Sequence, residues 1–160
     1  MKPVSLAPLL PEHWPVVAAV FAEGIATRNA TFETAVPSWA EWDASHLDEP
    51  RLVAVADTAV VGWTALSPYS RRPAYAGVAE VSVYVANQVR GGGIGRALLA
   101  ALIESARAGG LWTLQASIFP ENEASLALHR SLGSREVGFR ERVGLLDGDW
   151  RDVLLLELRL

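Results

Sequence analysis

The sequence predicts a mixed α/β fold in which strands and helices do not strictly alternate. Three observations predict it. Val81, Val83 and Val85 alternate with Glu80, Ser82 and Tyr84, which is the two-residue period of a strand. A glycine-rich turn, Arg90-Gly91-Gly92-Gly93-Ile94-Gly95, follows. Beyond it, Ile94, Leu98, Leu99, Leu102, Ile103 and Ala106 recur at helical spacing and make one face apolar.

The other elements follow in chain order. Val4–Ala7 is a short apolar run and reads as a first strand. Pro11-Glu12 opens a helix that runs to about Ala26, with proline suited to a first turn. The polar stretch Thr27–Thr34 reads as a loop with a lone Phe32. Pro37-Ser38 starts a short second helix, where Ser38 and Glu41 fit a capping box and Trp39 and Trp42 share a core-facing side. Leu52–Ala56 and Ala59–Leu66, split by Asp57-Thr58, read as a hairpin. Ser67–Gly77 is a loop rich in proline, tyrosine and arginine, and Val78–Val85 is the next strand. The long helix stops at Gly109-Gly110. Trp112–Phe119 alternates as a strand, and Pro120-Glu121-Asn122 leads into a helix that runs through Leu132. Ser134–Arg140 and Asp149–Leu158 read as the last strands, with Gly144–Gly148 turning between them. The resulting order is β-α-α-β-β-β-α-β-α-β-β.

Composition bounds the function. A chain of 160 residues favours one domain over 1–160. The net charge is −4 with no block of like charges, which argues against a nucleic-acid partner. There is no cysteine, hence no disulfide, thiolate metal site or cysteine nucleophile, and no metal is expected. No segment approaches about 20 uninterrupted apolar residues, so no membrane partner is expected. The N-terminus, broken by prolines, is a poor signal peptide, and the cytoplasm is the expected location.

Glycines between a strand and a helix expose backbone N–H groups at a helix N-terminus, which suits an anion, most often phosphate. A P-loop requires lysine and Ser/Thr after its last glycine, but Arg96-Ala97 stand there. A G-x-G-x-x-G turn fails as well: counted from Gly91 its last glycine falls on Arg96, and counted from Gly93 on Leu98. The pattern R-x-x-G-x-G is met by Arg90, Gly93 and Gly95. It resembles the pyrophosphate loop of the GNAT superfamily of acyl-CoA-dependent N-acetyltransferases. A glycine-rich connection that only turns the chain is the alternative.

Further motifs narrow the resemblance. Asn122 stands seven residues before His129, on a helix ending in Leu-Gly. Ala30-Thr31-Phe32-Glu33-Thr34, Ser67-Pro68-Tyr69, Arg71-Arg72-Pro73-Ala74-Tyr75, Glu80–Val85, Ala127-Leu128-His129, Arg142-Val143-Gly144 and Gly148–Val153 are similar to the phosphinothricin / methionine sulfoximine N-acetyltransferase family. The similarity runs from about Val4 to Leu158. The chain departs from that family's pattern at Ala79, Ser134 and Leu145-Leu146, which bears on substrate preference. The resemblance implies a GNAT fold, a central mixed and mostly antiparallel sheet of about seven strands flanked by about four helices. It also implies acetyl-CoA as co-substrate, a small-molecule amine acceptor and a homodimer.

Acetyl transfer requires the thioester to be held, its carbonyl polarised, the amine deprotonated and the leaving thiolate protonated. Backbone N–H groups of Gly91, Gly92, Gly93, Ile94, Gly95 and Arg96 suit the CoA pyrophosphate, with Arg90 or Arg96 adding charge or lying in solvent. By resemblance, the backbone of Val83, Tyr84 and Val85 binds the pantetheine arm where the strand splays, and Asn122 contacts the cofactor or caps its helix. Glu80 lies in an apolar strand, where an unpartnered carboxylate is costly. It is either a general base or one half of an ion pair with Arg71 or Arg72; the resemblance favours the base, acting directly or through water. His129 occupies the position where many GNAT enzymes carry a tyrosine and is the candidate acid or base. Arg71, Arg72 and Tyr75 suit an anionic acceptor or form a solvated loop. Phe32 and Glu33 line the same pocket by resemblance. His13 and His46 read as surface residues. Alternative functions are acetylation of a peptide N-terminus, a protein lysine or another amine, and a non-catalytic CoA-binding domain.

Overall fold

A computed structural model describes residues 3–160. Seven strands form one sheet: β1 (Val4–Pro8), β2 (Arg51–Ala56), β3 (Ala59–Pro68), β4 (Val78–Val85), β5 (Thr113–Ile118), β6 (Arg135–Leu146) and β7 (Asp149–Arg159). Their order is β1-β2-β3-β4-β5-β7-β6. Every neighbouring pair is antiparallel except β4 and β5. A parallel pair needs a crossover, and here the helix α3 (Ile94–Ala108) provides it. The other helices are α1 (Trp14–Ala26), α2 (Trp39–Ser45) and α4 (Glu123–Ser131).

Strand alternation sorts the core into two layers. On one face, α1 and α2 bury Val17, Val20, Phe21, Ile25 and Trp42 against Val53, Trp63 and Ala65. Tyr84 packs against both Phe21 and Trp63, 4.9 Å from each ring, and Trp42 meets Trp63 edge-on. On the opposite face, α3 buries Leu99, Leu102, Ile103 and Ala106 against Leu66, Ala79 and Leu114. There α4 places Leu126 over Ala116, Ile118, Leu154 and Leu156. The odd-numbered valines of β4 therefore face α3, whereas Tyr84 faces α1. Burying one large side chain contributes roughly 1.5–3 kcal/mol, so both helix layers are held mainly by this packing.

Local signals account for most boundaries. Ser38 Oγ accepts the Glu41 N–H at 3.2 Å while Glu41 Oε2 accepts the Ser38 N–H at 3.3 Å, the expected capping box. Trp42 is core, only 1% exposed. Two boundaries differ from expectation by three residues or more. Pro11–His13 is a 3-10 turn, and the α-helix begins at Trp14. β6 continues past Arg140 to Leu146, and the turn shrinks to Asp147-Gly148. Bulges at Glu136/Gly138 and Arg140/Gly144 keep that longer strand on β7; at the second, Arg142 has φ +47° and donates its N–H to Asp152 Oδ1 at 2.7 Å. His46 is not a surface residue. Its ring stacks on Trp42 at 4.1 Å and its Nδ1–H donates to the Trp42 carbonyl.

Candidate active site

The site begins where the parallel pair ends. β4 and β5 are in register only from Val78/Thr113 to Glu80/Gln115. Yet β4 runs on to Val85 and β5 to Ile118. The strands part beyond Glu80 and open a cleft of about 700 Å³ through the sheet. Its walls come from the loop after α1, the diverging strands, the glycine turn and the start of α4.

The open edge of β4 carries free backbone groups. Tyr69 N–H donates to Val78 and Ala86 N–H donates to Val61, so the even-numbered residues of β4 bond to β3. Antiparallel alternation then turns the N–H and C=O groups of Val81, Val83 and Val85 toward the gap. Val83 and Val85 thus present backbone groups to the cleft. Tyr84 does not: its backbone bonds to β3, and what it offers the cleft is its ring. The Arg90 side chain folds back and donates from Nε to the Val85 carbonyl at 3.3 Å.

The glycine turn meets the cleft at the N-terminus of α3. Gly91 and Gly93 have φ +79° and +83°, a region that disfavours any Cβ-bearing residue. Gly93 is the N-cap, no side chain caps the helix, and no acidic residue stands in its first turn. The first intrahelical bond is from Ala97 N–H to the Gly93 carbonyl. The N–H groups of Ile94, Gly95 and Arg96 are therefore free for an anion, reinforced by the helix dipole. Gly91, Gly93, Ile94 and Gly95 line the cleft, whereas Gly92 and the Arg96 side chain do not. Arg96 instead donates from Nη1 to Ser131 Oγ at 2.6 Å, tying α3 to α4. Asn122 caps α4, its Oδ1 accepting the Ser125 N–H at 3.2 Å, and it lines the cleft.

Glu80 is half-buried at the mouth of the split, and its Oε2 accepts Nε2–H of Gln115 at 2.6 Å. Among the described residues it has no ion pair, so the alternative pairing with Arg71 or Arg72 is not formed. Tyr84 points to the same face of the sheet, four residues farther along β4. Burial pushes the Tyr84 hydroxyl up to about 12, against a hydrogen bond with the Thr31 side chain, and the Glu33 carboxylate adds to the rise. It is a neutral phenol throughout the physiological range.

His129 is 5% exposed and lines the cleft. Its Nδ1 lies 2.9 Å from the Ser125 carbonyl. A carbonyl only accepts, so Nδ1 carries the proton and Nε2 holds a lone pair in the neutral ring. That buried Nε2 has no protein partner. Burial lowers the His129 pKa below the ordinary histidine value, and the bond to Ser125 opposes this in part. The ring is neutral at pH 7.

Phe32 packs edge-on against Phe119 at 4.8 Å and borders the cleft. A Cβ on Gly144 would come within 2.7 Å of the Phe32 ring, so β6 approaches it with no side chain between. Glu33 is exposed and does not line the cleft. Arg71, Arg72 and Tyr75 do not line it either. Arg72 lies over the Tyr75 ring, which packs on Tyr69. Within one chain the cradle expected of these three residues is not formed, because the loop from β3 to β4 leaves the sheet at the end away from the split. Sequence reasoning missed Gln115, Thr31, Phe119 and Arg151. Gln115 is polar in a central strand, which was a signal, but only the register shows what it meets.

A family model described as "Acetyltransferase (GNAT) family" matches residues 19–133. The chain is 35% identical over 149 residues to the phosphinothricin N-acetyltransferase of Alcaligenes faecalis, covering 89% of this chain and 76% of that protein. It is 38% identical over 138 residues to the L-methionine sulfoximine/L-methionine sulfone acetyltransferase of Pseudomonas aeruginosa, covering 85% and 74%. The structure of a GNAT superfamily phosphinothricin acetyltransferase from Sinorhizobium meliloti, in complex with AcCoA, superposes with a TM-score of 0.89 at 29% identity, covering 100% of this chain and 89% of that one. The parted strands, the uncapped α3 and the family match converge: this chain belongs to the GNAT family of acetyltransferases.

Proposed function

We propose that this acetyltransferase acetylates the α-amino group of a small amino-acid analogue such as phosphinothricin or L-methionine sulfoximine, with Glu80 as general base. The observation that carries the proposal is the position of Glu80 at the point where β4 and β5 part. There one carboxylate borders both the split that leads to the glycine turn and the aromatic side lined by Phe32 and Phe119.

Acetyl-CoA is the co-substrate of the family and supplies the activated acyl group. The chain fits it. Free N–H groups at the start of α3 suit a pyrophosphate, and the open edge of β4 suits an extended amide-bearing arm. Glu80, held by Gln115, takes the proton from the acceptor ammonium, directly or through one water. The backbone N–H of Val83 or Val85 polarises the carbonyl under attack. His129 exchanges a proton only through Nε2, since Nδ1–H is engaged by Ser125. Because the resting ring is neutral, it serves as an acid only after taking up a proton during the reaction. The names of the two relatives and the narrow aromatic acceptor side support a small amino-acid acceptor.

We also place the protein in the cytoplasm as a homodimer. No helix of the described residues is long and apolar enough to cross a membrane. Val137, Phe139, Val143, Leu145 and Trp150 leave the β6–β7 hairpin with an exposed apolar surface. Light scattering on the purified protein gives the mass that decides the dimer.

The test is to mix the protein with acetyl-CoA and either acceptor and to follow CoA release. Turnover with at least one is expected; none with either, while acetyl-CoA binds, overturns the acceptor class.

A further inference from the structure

We propose that Arg151 is the positioning residue of the acceptor side: its guanidinium straps the loop after α1 to β7 and to the β5–α4 turn, and so sets Phe32 against Phe119. The inference rests on the reading that this side of the cleft receives the amine.

Arg151 is on β7, more than 120 positions from the loop it holds. Nη1 donates to the Arg28 carbonyl at 2.6 Å. Nη2 donates to Asn29 Oδ1 at 2.8 Å and to Glu121 Oε2 at 3.2 Å. The guanidinium carbon lies 4.1 Å from the centre of the Phe119 ring. The side chain is only 15% exposed. Asn29, Phe119 and Glu121 all line the cleft, and Arg151 itself does not. It acts through them.

Two features show that the strap works against a resisting backbone and an unbalanced charge. Arg28 has φ +59°, a region that costs a side-chain-bearing residue about 1 kcal/mol or more. Its carbonyl is the one held at 2.6 Å, so Arg151 stabilises the conformation that turns the chain from α1 into the acceptor loop. Glu121 places a carboxylate on the cleft wall, and Arg151 is its ion-pair partner. An amino-acid acceptor carries its own carboxylate, so leaving Glu121 uncompensated repels it. A second tie, Arg28 Nε to Asp147 Oδ2 at 3.1 Å, is solvent-exposed and correspondingly weak. Planar donors aimed at three acceptors with a ring beneath are the geometry that arginine serves and lysine does not.

The test compares Arg151→Met, which keeps the apolar stem, with Arg151→Lys. In Arg151→Met the acceptor KM is expected to rise about tenfold, the scale of one lost charge-assisted bond, with kcat and the acetyl-CoA KM unchanged. Hydrogen exchange should quicken in residues 27–34 while α3 stays protected. Arg151→Lys should recover part of the KM and little of the protection. An unchanged acceptor KM, or unchanged exchange in 27–34, overturns the proposal. Equal rises in both KM values with faster exchange throughout also overturn it, because Arg151 would then hold only the fold. If the unmodified protein acetylates neither acceptor, the substrate reading fails by itself, and the exchange of 27–34 still decides the strap.

Discussion

The two sides of the cleft are built from different materials. The glycine-turn side is backbone: free N–H groups at the start of α3 and the open edge of Val83 and Val85. Its pieces come from one run of chain, residues 83–96, with Asn122 added across the gap. The acceptor side is made of side chains. Thr31 and Phe32 of the loop after α1, Tyr84 of β4 and Phe119 after β5 come from separate elements, with Arg151 tying that loop to Phe119 and Gly144 closing on Phe32. Backbone tolerates substitution except where φ is positive. A side-chain wall is sensitive to the size and charge of every member. Changes on the first side should act on acetyl-CoA alone, and changes on the second on the acceptor alone.

The largest effect is expected where the sides meet. Glu80→Gln keeps the shape and can still bond to Gln115 but cannot accept the amine proton. General base catalysis contributes roughly 10²–10⁴ in rate, so kcat should fall by about that factor while acetyl-CoA binding, measured by calorimetry, stays the same. A rate equal to the unmodified protein's removes Glu80 as base. Next comes Gly93→Ala. No atom stands within 4 Å of the added Cβ, so space is not at issue, but φ is +83°. Forcing alanine there costs about 1–2 kcal/mol, and the acetyl-CoA KM should rise about tenfold with the acceptor KM unmoved. Gly144→Ala is the mirror experiment. Its Cβ would meet the Phe32 ring at 2.7 Å, and the ring must shift, costing roughly 1 kcal/mol. Here the acceptor KM should rise several-fold and the acetyl-CoA KM should not. If Gly93→Ala and Gly144→Ala disturb the same constant, the division between the sides is wrong.

The same division explains what could be read from the sequence. The glycine turn was legible because its anion site is local: a strand, two positive-φ glycines and a helix start are consecutive residues. The helices and six of the seven strands were legible from periodicity and breakers. For β6 only the first half was legible, because Gly144 signals a turn, whereas two bulges carry the strand past Arg140 to Leu146. The acceptor side was half legible. Phe32 was reached by resemblance, but Arg71, Arg72 and Tyr75 were placed near Glu80 because they precede it in sequence. Strand direction decides otherwise: Glu80 is paired with Ser67 of β3 and Gln115 of β5, and its neighbours in space come from those strands. Arg151 gave no signal beyond its place in a motif, since nothing local shows that a residue on the last strand reaches the carbonyl of Arg28.

The smallest effect is on stability, and it separates the histidine of the cleft from its chemistry. His129 is buried neutral, and burial holds its pKa below the usual 6.5. Folding therefore stabilises the unprotonated ring. That contribution is fully present above pH 6.5, where the unfolded chain is also unprotonated. It is lost as pH falls from 6.5 toward the depressed folded value, because the unfolded state takes up the proton first. His46, also lowered chiefly by burial, adds in the same direction. In His129→Gln one of these two titrations is gone while the carboxylates are unchanged. Urea unfolding at pH 7 and pH 5 should therefore show a smaller loss in the variant than in the unmodified protein. An equal loss in both would mean that His129 is not held neutral by the fold, and Nε2 would then be free to carry a proton in the resting enzyme.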